Sequence, residues 1–375
     1  MRLRGGNPAI VVYLDREAPA HAGGRERYRS PRLTIESRPL PARPAPGDLR
    51  VRMLLAGVCG TDMHLVRADP RTGYIVGSVP LDVGTAGRVL GHEGVGQICD
   101  VGEGVDRFAV GDVVTFESIL TCRECVPCRR GLFNQCRRGR LVGTEVDGLF
   151  REVVDVPACV AHDVSDLART PEGLRAAACI EPAACAHVAI ARLRVRPGER
   201  VVVFGAGPIG VYAAMLCREA FGASVEVVEP IAGRRQVVAR FCDRSLDVEP
   251  FFAEADAEPF DVAVETSGVL ENVDRVLGRL GPGSRVGLLA RSGQPLHVAA
   301  VDHLITQGVS IVGSRGHLGG GFDDVLRLYR AGRLPLHESV TGVVEGLDGL
   351  HREILSREPI EERHSKVLAR LGEAA

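Results

Sequence analysis

Residues 205–210 read GAGPIG, and they stand between a fully apolar run, VVVF at 201–204, and a stretch of helical character. In that setting G-x-G-x-x-G has a mechanism. Gly205 permits a tight turn, Gly207 lets backbone approach a pyrophosphate, and Gly210 lets the helix lie close on the strand, with Pro208 and Ile209 opening the helix between them. Phosphates would then sit at the positive end of the helix. Strand-like segments recur at 225–228, 262–266, 286–289 and 309–313, spaced by helical stretches at 208–221 and 270–280. Strands alternating with helices imply an α/β fold with a doubly wound parallel sheet. The second strand ends in Glu229, at the spacing where a carboxylate accepts hydrogen bonds from adenosine ribose hydroxyls. Such an acid repels a 2′-phosphate and favours NAD, while Arg234 and Arg235, a few residues on, keep NADP as the alternative. A tight turn without a ligand is the blander reading, and the full strand-helix-strand context outweighs it.

Cys122, Cys125, Cys128 and Cys136 follow the spacing C-x2-C-x2-C-x7-C. Four thiolates on so short a loop can close a tetrahedron around one zinc ion and leave no position for substrate, so this site reads as structural. The four are too crowded for an ordinary disulfide framework. Their Arg, Glu, Pro and Gly neighbours also offer no core in which free cysteines could be buried as small hydrophobes. Eleven cysteines is an odd count. With no secretory pattern at the N-terminus and no apolar run of roughly 18–20 residues, the expectation is a reduced, cytoplasmic protein. A net charge of −2 and a pI near 6.6 supply no overall basic field to hold nucleic acid or an anionic membrane.

The 375 residues, 45% of them hydrophobic, suffice for two domains. Runs of β character at 10–14 and 32–37 are separated by a polar Arg/Gly/Ala stretch that reads as a surface loop. From 49 to 112, short Val/Leu-rich runs alternate with glycine pairs and proline, the pattern of a small twisted β-barrel with little helix. Around Pro182 the character changes, with a helix expected over 183–194 and the strand-helix alternation following. The tail from 314 returns to mixed loop and helix, including an amphipathic stretch at 322–331.

Taken in order, GVCGTDMH at 57–64, GHEGVG at 91–96, the four-cysteine loop and GAGPIG resemble the medium-chain zinc-dependent alcohol and polyol dehydrogenase family over nearly the whole chain. The resemblance implies a GroES-like β-barrel catalytic domain, 1–184 and 314–375, interrupted by a Rossmann cofactor domain at 185–313, with the active site in the cleft between them. It also implies an NAD(P)-dependent oxidoreductase that interconverts a secondary alcohol and its ketone. Cys59 offers a soft thiolate and His92 an imidazole, ligand types that suit a catalytic zinc. Glu93 and Glu181 compete to be the third ligand, and both are expected near the metal. Glu181-Pro182 looks like the polyol and glucose dehydrogenases, where alcohol dehydrogenases carry a cysteine, and so points to a sugar, polyol or cyclitol; a simple secondary alcohol is the other possibility. Asp62 resembles the family's aspartate that orients the ligand histidine, a plain turn carboxylate being the alternative. Thr61 resembles the hydroxyl of the proton relay, and His64 the histidine that hands the proton to solvent through the cofactor ribose, unless it is an ordinary surface histidine. The implied chemistry is Lewis-acid catalysis, in which zinc lowers the pKa of the substrate oxygen while hydride leaves to nicotinamide C4. Relatives pair through the last strand of the cofactor domain, here near 309–313, which implies a homodimer or homotetramer.

The chain departs from the family in two places. Between Cys59 and His92 it is longer by roughly a dozen residues, the excess falling in 67–88, and this loop is expected to form part of the substrate pocket, with a harmless surface excursion as the alternative. The segment 17–30 is also unusual. Two competing readings have weak footing. A zinc-free reductase of enones or quinones would lack Cys59, His92 and the four cysteines. A nucleic-acid-binding zinc module would need clustered basic and aromatic residues, yet aromatics are 4% and the glycine motif would go unexplained.

Overall fold

The computed structural model describes residues 6–17, 27–75, 80–254, 258–317 and 320–373. Two compact units emerge: Met1–Glu181 with Gly342–Arg357 and Val367–Ala375, and Pro182–Thr341 with Glu358–Lys366.

In the first unit the Val/Leu-rich runs become a seven-stranded sheet whose main path is Ala161–Asp163, Val113–Phe116, Glu93–Val101, Asp48–Gly57, Lys366–Arg370, Val340–Glu345. Glu93–Val101 lies antiparallel along Asp48–Gly57. That long strand has two further partners: residues 48–52 pair with Val153–Pro157, and residues 55–57 with Lys366–Arg370. Register shifts between Arg50 and Val51 and between Met53 and Leu55 bend it. The sheet therefore curls around a core that includes Leu49, Val51, Met53, Ile98, Val114 and Phe116. Among the described residues between 49 and 112, Gly60–Val66 is the only helix, as the turn-rich sequence predicts.

The early β runs form one antiparallel hairpin, Pro8–Glu17 with Arg27–Ser37, longer than the apolar pattern suggests. Backbone pairing continues through polar side chains because the ladder bonds do not depend on them. Its flanks extend into the polar stretch expected as a loop, while residues 18–26 lie outside the described residues. Within 67–88, where 76–79 also lie outside them, the chain docks on this hairpin. Ile75 N–H donates to the Tyr28 carbonyl at 2.9 Å, Tyr28 Oη donates to the Leu81 carbonyl at 3.1 Å, and the Arg27 guanidinium stacks 3.3 Å over the Tyr74 ring. Tyr74 Oη also donates to Glu17. The described parts of the two departures from the family thus meet in one piece of structure.

The second unit carries a six-stranded, wholly parallel sheet in the order Arg244–Leu246, Ser224–Val228, Arg200–Phe204, Phe260–Glu265, Leu280–Leu288, Ser310–Gly313. Numbered along the chain this is 3-2-1-4-5-6, the doubly wound order that places a dinucleotide at the carboxyl ends of the first strands. The short third strand has no clear signal in the sequence. The helix expected over 208–221 is α-helical over Pro208–Met215 and widens to a π turn at Leu216–Ala220 before Gly222. The chain is poor in aromatics but concentrates them here: Phe204, Phe251 and Phe260 meet in one core, the first two edge to face at 5.7 Å. The sequence reading closes this domain at 313, whereas in the structure 314–341 also makes its contacts within the second unit. Gly321 sits close to Ala184 and Val188, and Tyr212 Oη shares a 2.8 Å hydrogen bond with Ser339 Oγ. Among the described residues no single helix is long and apolar enough to cross a membrane.

Candidate active site

Cys59 caps the short helix Gly60–Val66, which turns Asp62, Met63 and Leu65 inward. Thr61 and His64, three apart, share its half-buried face. Asp62 is wholly buried and ties two loops together: Oδ2 accepts the Cys59 N–H at 3.0 Å and Oδ1 the Gly91 N–H at 3.1 Å. Gly91 adopts φ +88°, and a Cβ there would lie 2.3 Å from the Phe150 ring, so only glycine lets this turn rest on that ring. The next two residues, His92 and Glu93, are buried. Cys59, His92 and Glu93 each offer a ligand atom, and the three atoms lie within 4.8 Å of one another. Among the described residues His92 Nδ1 is buried without a hydrogen-bond partner, with Asp62 Oδ1 3.8 Å away. A thiol, an imidazole and a carboxylate converging on one point, beside a buried imidazole nitrogen left unsatisfied, fit a zinc ion.

Glu181 stands at the start of the helix Ile180–Leu193 and is also buried, but it lies outside this three-residue group. Its Oε1 accepts a 2.5 Å hydrogen bond from the buried Ser118 Oγ. Nothing in the local sequence marks Ser118, because its role depends on a partner far along the chain.

The four cysteines converge as their spacing suggests. Sγ–Sγ distances are 3.4 Å for Cys125–Cys128 and Cys122–Cys136 and 3.8 Å for Cys125–Cys136. Thiolates about 2.3 Å from a common ion form a tetrahedron with edges of about 3.8 Å, whereas a disulfide needs about 2.05 Å. The N–H groups of Glu124 and Cys125 aim at Cys122 and bring its thiol down to about 6, while burial pushes Cys128 up to about 12. A cation at the centre would satisfy both sulfurs.

In the second unit Gly205 turns at φ +97° after Arg200–Phe204, and Gly207 precedes Pro208 at the start of the helix. A Cβ on Gly210 would sit 1.9 Å from the Gly205 carbonyl oxygen, so helix and strand approach this closely only through glycine. Glu229 is buried, and each of its oxygens accepts one backbone N–H, from Ala206 at 2.7 Å and from Ile231 at 2.9 Å. Lone pairs remain on both for ribose hydroxyls. Arg235 is committed to the Glu229 and Pro230 carbonyls, both at 2.7 Å, whereas Arg234 reaches toward the open face of Gly207. Thr266, unremarked in the sequence, closes the other side of the turn by donating to the Phe204 carbonyl at 2.7 Å.

His92 also borders a cavity of about 350 Å³ within the first unit. The long loop was expected to line the substrate pocket, yet none of its described residues lines this cavity. Arg88 of this loop pairs with the cavity-lining Asp147 at 2.9 Å, and Asp82 N–H donates to the Thr144 carbonyl at 3.1 Å.

Residues 45–166 match the family model described as the alcohol dehydrogenase GroES-like domain. Scyllo-inosose 3-dehydrogenase of Thermotoga maritima is 30% identical over 335 residues, spanning 82% of this chain and 83% of that one. The chain belongs to the medium-chain zinc-dependent alcohol and polyol dehydrogenase family. L-threonine 3-dehydrogenase of Pyrococcus horikoshii is 26% identical over 317 residues, spanning 82% of this chain and 86% of that one. The solved alcohol dehydrogenase of Thermus sp. ATN1 matches 97% of this chain and all of its own, with a TM-score of 0.78 at 25% identity. This dehydrogenase therefore combines a GroES-like domain with a Rossmann domain and is an NAD(P)-linked oxidoreductase acting on secondary alcohols.

Proposed function

We propose that the dehydrogenase oxidises one hydroxyl of a polyol, sugar or cyclitol, or reduces the matching ketone, with NAD preferred to NADP. The single observation that carries this is the convergence of Cys59, His92 and Glu93 on one point, beside a cavity of substrate size. These three would hold the catalytic zinc, with Glu181 as the acid that competes with Glu93. Bound there, zinc supplies a Lewis acid for the substrate oxygen, and the nicotinamide supplies the hydride acceptor. The protein's own groups do the rest. Asp62 holds the loops of Cys59 and His92 in register, and Thr61 takes the hydroxyl proton and passes it to His64 on the same helix face. The turn at Gly205, Gly207 and Gly210 receives the pyrophosphate at the helix start, with Arg234 beside it, and Glu229 receives the ribose hydroxyls. Cys122, Cys125, Cys128 and Cys136 hold a structural zinc away from the chemistry.

The polyhydroxylated substrate class rests on Glu181-Pro182 and on the cyclitol ketone named for the Thermotoga maritima relative. We assign residues 1–181, 342–357 and 367–375 to the catalytic domain and 182–341 with 358–366 to the cofactor domain, in a cytoplasmic homodimer or homotetramer. The test is a panel of polyols, cyclitols and simple secondary alcohols, followed at the absorbance of the reduced nicotinamide with NAD and with NADP, on protein whose zinc has been measured. Turnover of polyols or cyclitols with NAD is the expected result. Zinc-replete protein that binds neither nucleotide, or that turns over simple alcohols alone, would sink the proposal.

A further inference from the structure

Besides apolar side chains, the cavity beside His92 is lined by six groups that can carry charge: Asp48, His92, Glu117, Asp147, Arg151 and Asp155. Three of the four acids have basic partners of their own. Asp147 pairs with Arg88 at 2.9 Å, Asp155 accepts from Arg50 through both oxygens at 2.8 and 2.9 Å, and Glu117 meets His162 at 3.1 Å. At Asp48, burial and then the neighbouring Asp155 push the carboxyl up, toward the neutral form.

Arg151 is the cation left over. Its side chain is only 7% exposed, and its Nε donates to the Val153 carbonyl at 2.8 Å. Its Nη groups make no hydrogen bond to the described residues; Asp147, already held by Arg88, approaches Nη1 no closer than 4.0 Å. Burial pulls this guanidinium down, Asp147 and Asp155 oppose that pull, and the like charge of Arg38 adds to it. A buried guanidinium with unused donors on a cavity wall lacks the bidentate acceptor that its planar fork suits best, a carboxylate or a phosphate.

We infer that Arg151 is the recognition residue of an anion subsite in this cavity, and that the substrate is a small hydroxylated molecule carrying a carboxylate or a phosphate. The ligand class deepens the polyol reading and rests on it, whereas anion binding by Arg151 does not. Inorganic phosphate and acetate are therefore titrated calorimetrically into the zinc-replete protein saturated with NAD, which fills the other phosphate-binding turn. Wild type should bind one of the two anions, and the arm that binds tells phosphate from carboxylate. Arg151→Met should weaken that binding at least about tenfold, the scale of a lost charge-assisted pair, with zinc content and melting temperature unchanged. If Arg151→Met does not fold, Arg151→Lys, which keeps the charge but not the fork, should still bind more weakly. In turnover, an aldonate or a polyol phosphate should exceed its neutral parent at least about tenfold in kcat/KM, and Arg151→Met should erase the difference. No anion binding, or equal binding by wild type and the variants, overturns the inference. Neutral polyols turned over without any preference for the anionic forms would overturn the substrate assignment and leave the dehydrogenase reading standing. Anion binding lost in Arg151→Met, with no alcohol turned over, would sink the dehydrogenase reading and leave the subsite.

Discussion

Asp62 carries more of the site than its place in a short helix suggests. One buried carboxylate satisfies the N–H of Cys59 and the N–H of Gly91, so the loops that bear the thiol and the imidazole share a single anchor. Asp62→Ala leaves the buried Gly91 N–H without an acceptor, at about 1–3 kcal/mol, strips the part-buried Cys59 N–H of its acceptor as well, and frees both loops. We expect zinc affinity, measured by competition with a chromogenic chelator, to fall about 10–100-fold, with Asp62→Asn in between. A variant that loses melting temperature but keeps its zinc affinity would reduce Asp62 to a scaffold. The resemblance carried by GVCGTDMH offers Asp62 as the aspartate that orients the ligand histidine, or else as a plain turn carboxylate; its Oδ1 stands 3.8 Å from His92 Nδ1. Its grip on Gly91 was not legible, because the acceptor and the donor belong to elements that only the fold brings together. Ser118 on Glu181 and Arg151 on the cavity wall escaped the sequence for the same reason.

Among elements, the four-cysteine loop and the hairpin with its long loop show opposite degrees of legibility. Short spacing restricts where four sulfurs can go, so the C-x2-C-x2-C-x7-C run predicts their convergence without help from the rest of the chain. Cys125→Ser should remove one equivalent of zinc and leave the catalytic equivalent bound, as measured by elemental analysis. If the lost metal costs about 3 kcal/mol, the melting temperature should drop by roughly 6–12 °C. Unchanged zinc content would mean that the loop holds no ion. The hairpin was visible only as two short β runs, and the long loop only as an excess of residues. Their union through Tyr28, Tyr74 and Arg27 depends on side chains distant in sequence, and it explains how the loop supports the cavity without lining it.

For the molecule as a whole, the open question of assembly falls on the last strand of the parallel sheet. Ser310–Gly313 is an edge, and near it Val301, Ile305 and Ile311 are 50%, 75% and 37% exposed. An unpaired edge flanked by exposed aliphatic side chains invites pairing with another copy of itself about a two-fold axis. We expect wild type to be a dimer or tetramer by light scattering, and Ile305→Asp with Ile311→Asp to shift it toward a folded monomer with an unchanged far-ultraviolet circular dichroism spectrum. An unchanged mass in the double variant would place the interface elsewhere.

What the amino-acid sequence determined by itself is local. The glycine spacing at 205–210 dictates a turn because backbone angles and close approach allow no other residue, and the cysteine spacing dictates the convergence of four sulfurs because the tether is short. Alternating runs of strand and helix set the parallel domain for the same reason, since each period is read within a few residues. Only the tertiary structure decided which distant groups meet: Glu93 in the group with Cys59 and His92, Glu181 with Ser118, and the late loop with the early hairpin. It also singled out Arg151, because whether a charge finds a partner depends on how separate strands and loops close around one cavity, and no spacing along the chain records that.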